Sequence, residues 1–236
     1  MILNGGNDTF TKILLHMDGS NGGTTFTDSN IGGSAHTWAA QVGSPVTSTA
    51  AKEFGTASLD CGAAANSIST ADSADFTLGS GDFTVDFWFN RQGGDGTRRF
   101  LYLHGDGATA TSSIECELSA ANVIVAYLCS GSTLTTMTGT TTFTSTGWHH
   151  FALTRSGNNV RVFLDGVQEG STLSYSSTIN DPSNNFVIGS TLSSLMWNGF
   201  LDEFRLSVGI ARWTANFTPP VIAYARDSFV SGLAFL

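Results

Sequence analysis

Between Trp148 and Val167 the chain reads W-H-H-F-A-L-T-R-S-G-N-N-V-R-V-F-L-D-G-V, and this run limits the available folds more than any other. His149, Phe151 and Leu153 alternate with His150, Ala152 and Thr154. After Ser156-Gly157-Asn158-Asn159 the alternation resumes in Val160, Val162 and Leu164, and Asp165-Gly166 closes it. Period-two alternation buries one face of a strand, while Gly and Asn supply the positive φ of tight turns. The stretch therefore predicts a β-hairpin and the start of a second turn. A lone hairpin is marginal in water, so this one requires a partner sheet over its apolar face, which implies a sandwich.

Phe83, Val85, Phe87 and Phe89 form the strongest alternation, opposed by Thr84, Asp86, Trp88 and Asn90. Burying four such side chains contributes about 6–12 kcal/mol before entropy is subtracted, which makes this strand central. Further short strands are expected at 13–17, 54–59, 67–70, 99–104, 114–119, 122–128, 137–143, 186–188 and 199–206, with loop over most of 20–45 and a polar segment at 169–184. With 27 glycines, four prolines and no long segment of helical period, the composition agrees with an all-β chain. Its 236 residues suit one domain. The expected division is a lead-in at 1–12, a sandwich at 13–220 and an apolar appendage at 221–236. Residues 211–220 would close the domain as an extended strap pinned by Trp213 and Phe217.

Ten basic residues against 19 acidic ones give a net charge of −9, and Lys12 and Lys52 are the only lysines. Nothing here forms a basic stripe that tracks phosphates, so nucleic acid and anionic membranes are poor partners, whereas cations such as Ca²⁺ suit the balance. No run of about 18 apolar residues predicts a membrane span. The N-terminus lacks the pattern of a signal peptide, which points to synthesis in the cytoplasm. Cys61, Cys116 and Cys129 cannot all pair and have no zinc-like spacing. Cys116, in phase with Ile114 and Leu118, reads as a buried free thiol.

The hairpin, together with N-G-F-L-D-E-F-R-L-S-V-G-I-A-R-W-T-A-N-F-T-P-P at 198–220, resembles the laminin-G-like, concanavalin A-like jelly-roll modules of phage tail and other adhesive proteins. L-L-H-M-D-G-S (14–20), K-E-F-G-T-A-S-L (52–59) and G-D-F-T-V-D-F-W-F (81–89) match the same pattern in the same order. The resemblance implies an antiparallel β-sandwich. It leaves activity open, because that scaffold hosts lectins, structural modules and glycosidases.

The resemblance also implies a metal site. In relatives the strand matching F-L-D-E-F-R-L-S places an aspartate on structural calcium, with a residue of the first strand and a glycine carbonyl; here these would be Asp202, Asp18 and Gly55. Asp202 is in phase with Phe200, Phe204 and Leu206, so its carboxylate is expected to point inward. The alternative is that it caps backbone amides or pairs with Arg205 or Arg212.

A sugar-binding face is the second expectation. If Phe83 to Phe89 face the core, Asp86 and Trp88 face away from it. By the same phase Tyr102 and His104 oppose Leu101 and Leu103, and Glu115 and Glu117 oppose Ile114, Cys116 and Leu118. Carboxylates beside aromatic rings suit sugars, whose C–H patches stack while their hydroxyls hydrogen-bond. Alternatively a long loop covers Trp88 and the two glutamates are merely solvated, with Trp38, Asp106 and Trp197 as rival loop contacts. Glu115-Cys116-Glu117 also invites comparison with retaining glycosidases. Related hydrolases carry three acids in an E-x-D-x-E type run, however, whereas positions 113 and 119 are serine. His149 and His150 point to opposite faces of a strand and cannot share an ion from one side.

The expectation is a non-catalytic recognition module. A glycan is its partner, and its setting is a phage tail, a virion or a prophage-derived surface protein, displayed as a homo-oligomer with other virion chains. The alternative is a structural decoration of a virion that binds no sugar.

Overall fold

The computed structural model describes residues 6–62, 66–93, 96–107, 109–142, 144, 146–191 and 194–225. Two antiparallel sheets stack face to face. One has the order β13 (Val167–Ser174), β12 (Asn159–Leu164), β11 (Trp148–Ser156), β6 (Phe83–Arg91), β15 (Gly199–Val208), β4 (Ser58–Asp60) and β3 (Val46–Ser48). Its eighth strand, β1 (Thr11–Leu15), also pairs with β15. The other sheet runs β10 (Thr133–Thr138), β9 (Ile124–Ser130), β8 (Ile114–Leu118), β7 (Arg99–His104), β14 (Phe186–Ile188), β5 (Ser67–Thr70) and β2 (Ala39–Val42). Among the described residues no helix is long and apolar enough to cross a membrane.

The expected hairpin forms with Ser156 opposite Asn159 across Gly157-Asn158, and Asp165-Gly166 turns into β13 with φ of 50° and 76°. That second hairpin extends through Ser174, where a polar segment was expected; its mostly exposed side chains gave no apolar alternation to read. β6 is the central strand, between β11 and β15, and Phe83, Val85, Phe87 and Phe89 are all fully buried between the layers. Phe87 stacks on Phe204 and meets Tyr102 edge-on. All three cysteines are buried and free.

Among the register slips of the sheets, those in β7 and β15 reverse the side-chain phase at the expected site residues. In β7 the register slips between Phe100 and Tyr102, so Leu101 and Tyr102 both enter the core. In β15 it slips between Asp202 and Arg205, with Glu203 at φ 50°. An extra residue on one strand turns every later side chain to the other face.

The outer face of the eight-stranded sheet is covered. The strap after β15 stacks Trp213 on Phe217 at 4.1 Å and packs both against Ala152 and Phe163. The chain then returns so that Tyr224, 2 % exposed, lies over the same sheet, and the Asn7 amide donates to the Ala225 carbonyl. Of the expected appendage, Val221 and Ile222 are exposed and Tyr224 packs on the sandwich. Its remaining apolar residues, Phe229, Val230, Leu233 and Phe235, lie outside the described residues.

A candidate ligand groove on the seven-stranded sheet

The structure divides the six residues expected on an open sugar face into three groups. Asp86 and Trp88 do point away from the core, but the strap and neighbouring loops bury them. Asp86 is bound by Arg205, while Trp88 is packed between Phe54 at 5.8 Å and His150 at 5.1 Å. Alternation on β6 reveals the side on which a residue sits, and the cover comes from residues distant in sequence, Arg205 and Tyr224 on Asp86 and Phe54 and His150 on Trp88. Burial alone would raise the Asp86 carboxyl; the Arg205 charge and the His150 imidazole instead bring it down to about 2.

Tyr102 and His104 correct the expected alternation outright. The β7 bulge turns Tyr102 into the core, where it meets Phe87, Phe151, Phe186 and Phe204. His104 stacks on Phe186 and binds Asp72 at 3.2 Å. Neither is exposed, so neither is placed to meet a ligand. Trp38 and Trp197, the rival tryptophans, also belong to the core.

Glu115 and Glu117 behave as the third group. They lie on the outer face of β8, opposite Leu103 and Phe100, and Glu115 helps to line a groove of about 520 Å³. Arg98, Phe100, Asp106, Tyr127 and Leu134 line it too, with Thr191, Ser194 and Leu195 from the β14–β15 connection. Arg98 sits over Phe100 at 4.8 Å and Tyr127 at 6.0 Å, and its Nε donates to Glu117. Tyr127 donates its hydroxyl to the other Glu117 oxygen at 3.0 Å. Desolvation pushes the Glu115 and Glu117 carboxyls above their ordinary value, although Arg98 opposes this. Sequence reading overlooked Arg98 and Tyr127; the outward phase of Tyr127, opposite Glu115, was the signal available.

At the wall of the groove Leu195 has φ 54°, a left-handed conformation that disfavours a Cβ-bearing residue, and its carbonyl accepts from the Phe100 amide at 2.8 Å.

The three residues assigned to calcium share one locus. The β15 bulge leaves Asp202 opposite Trp88 on the outer side, rather than inward with Phe204 and Leu206. There it is fully buried under residues 53–54, whose amides donate to its Oδ2 at 2.9 and 3.2 Å, while Oδ1 accepts from the Glu203 amide. Asp18 accepts from the amide and hydroxyl of Thr56, and Gly55 at φ 60° lies so close that a Cβ would overlap the Asp18 carboxylate. Arg205 and Arg212 bind Asp86 and Asp8 instead, so Asp202 caps amides without a cationic side chain. Burial, only partly offset by those amides, lifts its carboxyl to about 8. Among the described residues no three His, Cys, Asp or Glu side chains converge tightly enough to hold a metal ion by themselves.

The family model described as the concanavalin A-like lectin/glucanases superfamily matches residues 62–209, more than half of the chain and most of both sheets. The chain belongs to this superfamily. Solved structures extend the likeness beyond the matched segment. Domain 4 of AbnA, a GH43 extracellular arabinanase from Geobacillus stearothermophilus solved with arabinotriose, superposes with a TM-score of 0.62 at 15% identity, covering 85% of this chain and 94% of that one. The binding domain of Paraclostridial Mosquitocidal Protein 1 gives 0.61 at 13%, covering 86% and 50%. The binding domain of botulinum neurotoxin DC in complex with SialylT gives 0.62 at 12%, covering 87% and 50%. This concanavalin A-like chain thus spans about half the length of those toxin binding domains. At such identities the likeness establishes the fold. No curated protein matches in sequence.

Proposed function

We propose that the chain is a non-catalytic recognition module that binds a glycan in the groove over β7–β10, displayed on a phage tail, a virion or a bacterial surface. One observation carries this: the Tyr127 ring, the Arg98 guanidinium and the Glu115 and Asp106 carboxylates line a single recess of about 520 Å³. A sugar offers C–H patches to a ring and hydroxyls to carboxylates and guanidinium groups, so each lining group has a use. The relatives solved with arabinotriose and with SialylT support a sugar as the ligand class. Hydrolysis fits poorly, because Glu117 already holds Arg98 and Tyr127, and positions 113 and 119, where a third acid of the hydrolase pattern would stand, carry serine. A small open groove gives modest affinity, so homo-oligomeric display is part of the proposal.

Glycan-array binding of the purified chain tests it, with retention expected to fall at least about tenfold in Tyr127→Ala, the scale of a lost stacking and hydrogen-bonding contact. No retention of any glycan, together with firm co-assembly with a virion protein, would overturn it in favour of structural decoration.

We also propose calcium at the Asp18–Gly55–Asp202 locus. A buried carboxylate without a cationic side chain fits a cation, and carboxylate and carbonyl oxygens are the donors calcium takes. The ion would supply local rigidity.

A further inference from the structure

Beside the groove lies a second recess of about 370 Å³, lined by Gly62, Thr97, Arg98, Arg99, Leu195, Met196 and Asn198. Arg98 and Leu195 line both, so the two recesses adjoin across one side chain from each of two loops. Their electrostatics differ. The first contains Glu115 and Asp106, whereas the second contains two arginines and, among the described residues, no carboxylate. In a chain with ten basic residues against 19 acidic ones, two adjacent guanidinium groups on one wall is a local reversal of sign.

Both guanidinium groups have capacity to spare. Arg99 donates one Nη1 bond to the Met196 carbonyl at 2.8 Å, and its buried Nε has no partner. Arg98 uses Nε on Glu117 and interacts with Tyr127, and its half-exposed guanidinium keeps further N–H donors open to solvent. The Asn198 side chain is a further donor on this wall. A guanidinium with N–H donors left over can hold an anion through charge-assisted hydrogen bonds, and a planar anion can take two of them in parallel. The acidic remainder of the surface opposes this weakly, because charges beyond about 8 Å are largely screened at physiological salt.

We infer that the second recess is an anion subsite that holds the carboxylate or sulfate of an acidic sugar whose neighbouring residue occupies the Tyr127 groove. The inference rests on the glycan reading of that groove and specifies its ligand class as acidic oligosaccharides.

The test is an array of uronate-bearing, sialylated and sulfated oligosaccharides, each beside its neutral parent. At least one acidic class is expected to bind about tenfold more tightly than its parent, the scale of one charge-assisted hydrogen bond. The class retained distinguishes carboxylate from sulfate. Arg99→Gln is expected to bring the acidic member to within about twofold of its parent while leaving the parent unchanged. Thr97→Glu, at an exposed position, should do the same with the fold intact, judged by an unshifted melting midpoint. Equal binding of acidic and neutral members, or an acidic preference that survives both variants, would overturn the inference while Tyr127-dependent binding upheld the groove. Absence of all glycan binding would overturn both.

Discussion

Asp86 and Arg205 face each other as a bidentate pair, Nε to Oδ1 at 2.9 Å and an Nη2 to Oδ2 at 3.0 Å, with neither side chain exposed. The pair joins β6 to β15 on the outer face of the eight-stranded sheet. Tyr224 closes it, donating its hydroxyl to Asp86 while its ring lies 3.7 Å from the Arg205 guanidinium. Arg205 also donates to the Gly6 carbonyl and the Tyr224 amide donates to the Glu203 carboxylate, so these contacts tie both ends of the described chain to the sandwich.

Removing one partner leaves the other as an uncompensated buried charge. Asp86→Ala is expected to lower unfolding free energy by about 3–5 kcal/mol, and Tyr224→Phe by about 1–3 kcal/mol through the lost hydroxyl. Urea midpoints at pH 7 check both. Near-wild-type stability in Asp86→Ala would contradict the role given to the pair.

The same carboxylate sets an acid limit. Its folded pKa of about 2 lies below the unfolded value, so the stability it contributes is present above about pH 4 and is lost as pH falls through 2. The melting midpoint is expected to drop by roughly 5–10 °C between pH 5 and pH 2 on this account. Asp86→Asn, scanned in parallel, should show a shallower fall.

Trp88 and Tyr127 separate stability from recognition. Trp88→Ala removes a ring packed between Phe54 and His150 and is expected to cost about 3–5 kcal/mol while glycan retention under native conditions stays unchanged. Tyr127→Ala, at a half-buried position, should do the reverse. Urea titration beside array binding distinguishes them, and loss of retention in folded Trp88→Ala would return the ligand to the other sheet.

Calcium at Asp18, Gly55 and Asp202 is expected to stabilise the fold by about 2.7 kcal/mol at a hundredfold excess over its dissociation constant. Chelation should then lower the melting midpoint by several degrees, and Asp202→Asn should abolish the response. An identical midpoint with and without chelator in the wild-type chain would remove the ion.

Much of the sandwich was legible in the sequence because strand alternation and turn chemistry are local: Phe83 to Phe89, the Gly157-Asn158 turn and Asp165-Gly166 each declare their conformation within a few residues. The site was legible only in part. Glu115 and Glu117 kept their outward phase because the extra residue of the bulge lies on β7 rather than on β8, and β8 pairs with β9 without a slip. Tyr102, His104 and Asp202 were misread because a one-residue bulge in β7 or β15 reverses the phase without changing the local alternation of residue types.

The sequence by itself determined that apolar side chains would meet between two antiparallel layers, since period-two burial admits few other solutions. Only the tertiary structure decided which outer face stays open. Trp213, Phe217 and Tyr224 are free, as sequence, to lie anywhere beyond β15. Tyr224 docks on Asp86 across 138 residues of sequence, and Trp213 and Phe217 dock on Ala152 and Phe163, contacts that no local pattern encodes. Arg98 and Arg99 likewise acquire their recess only when the β14–β15 connection brings Leu195 and Asn198 beside them.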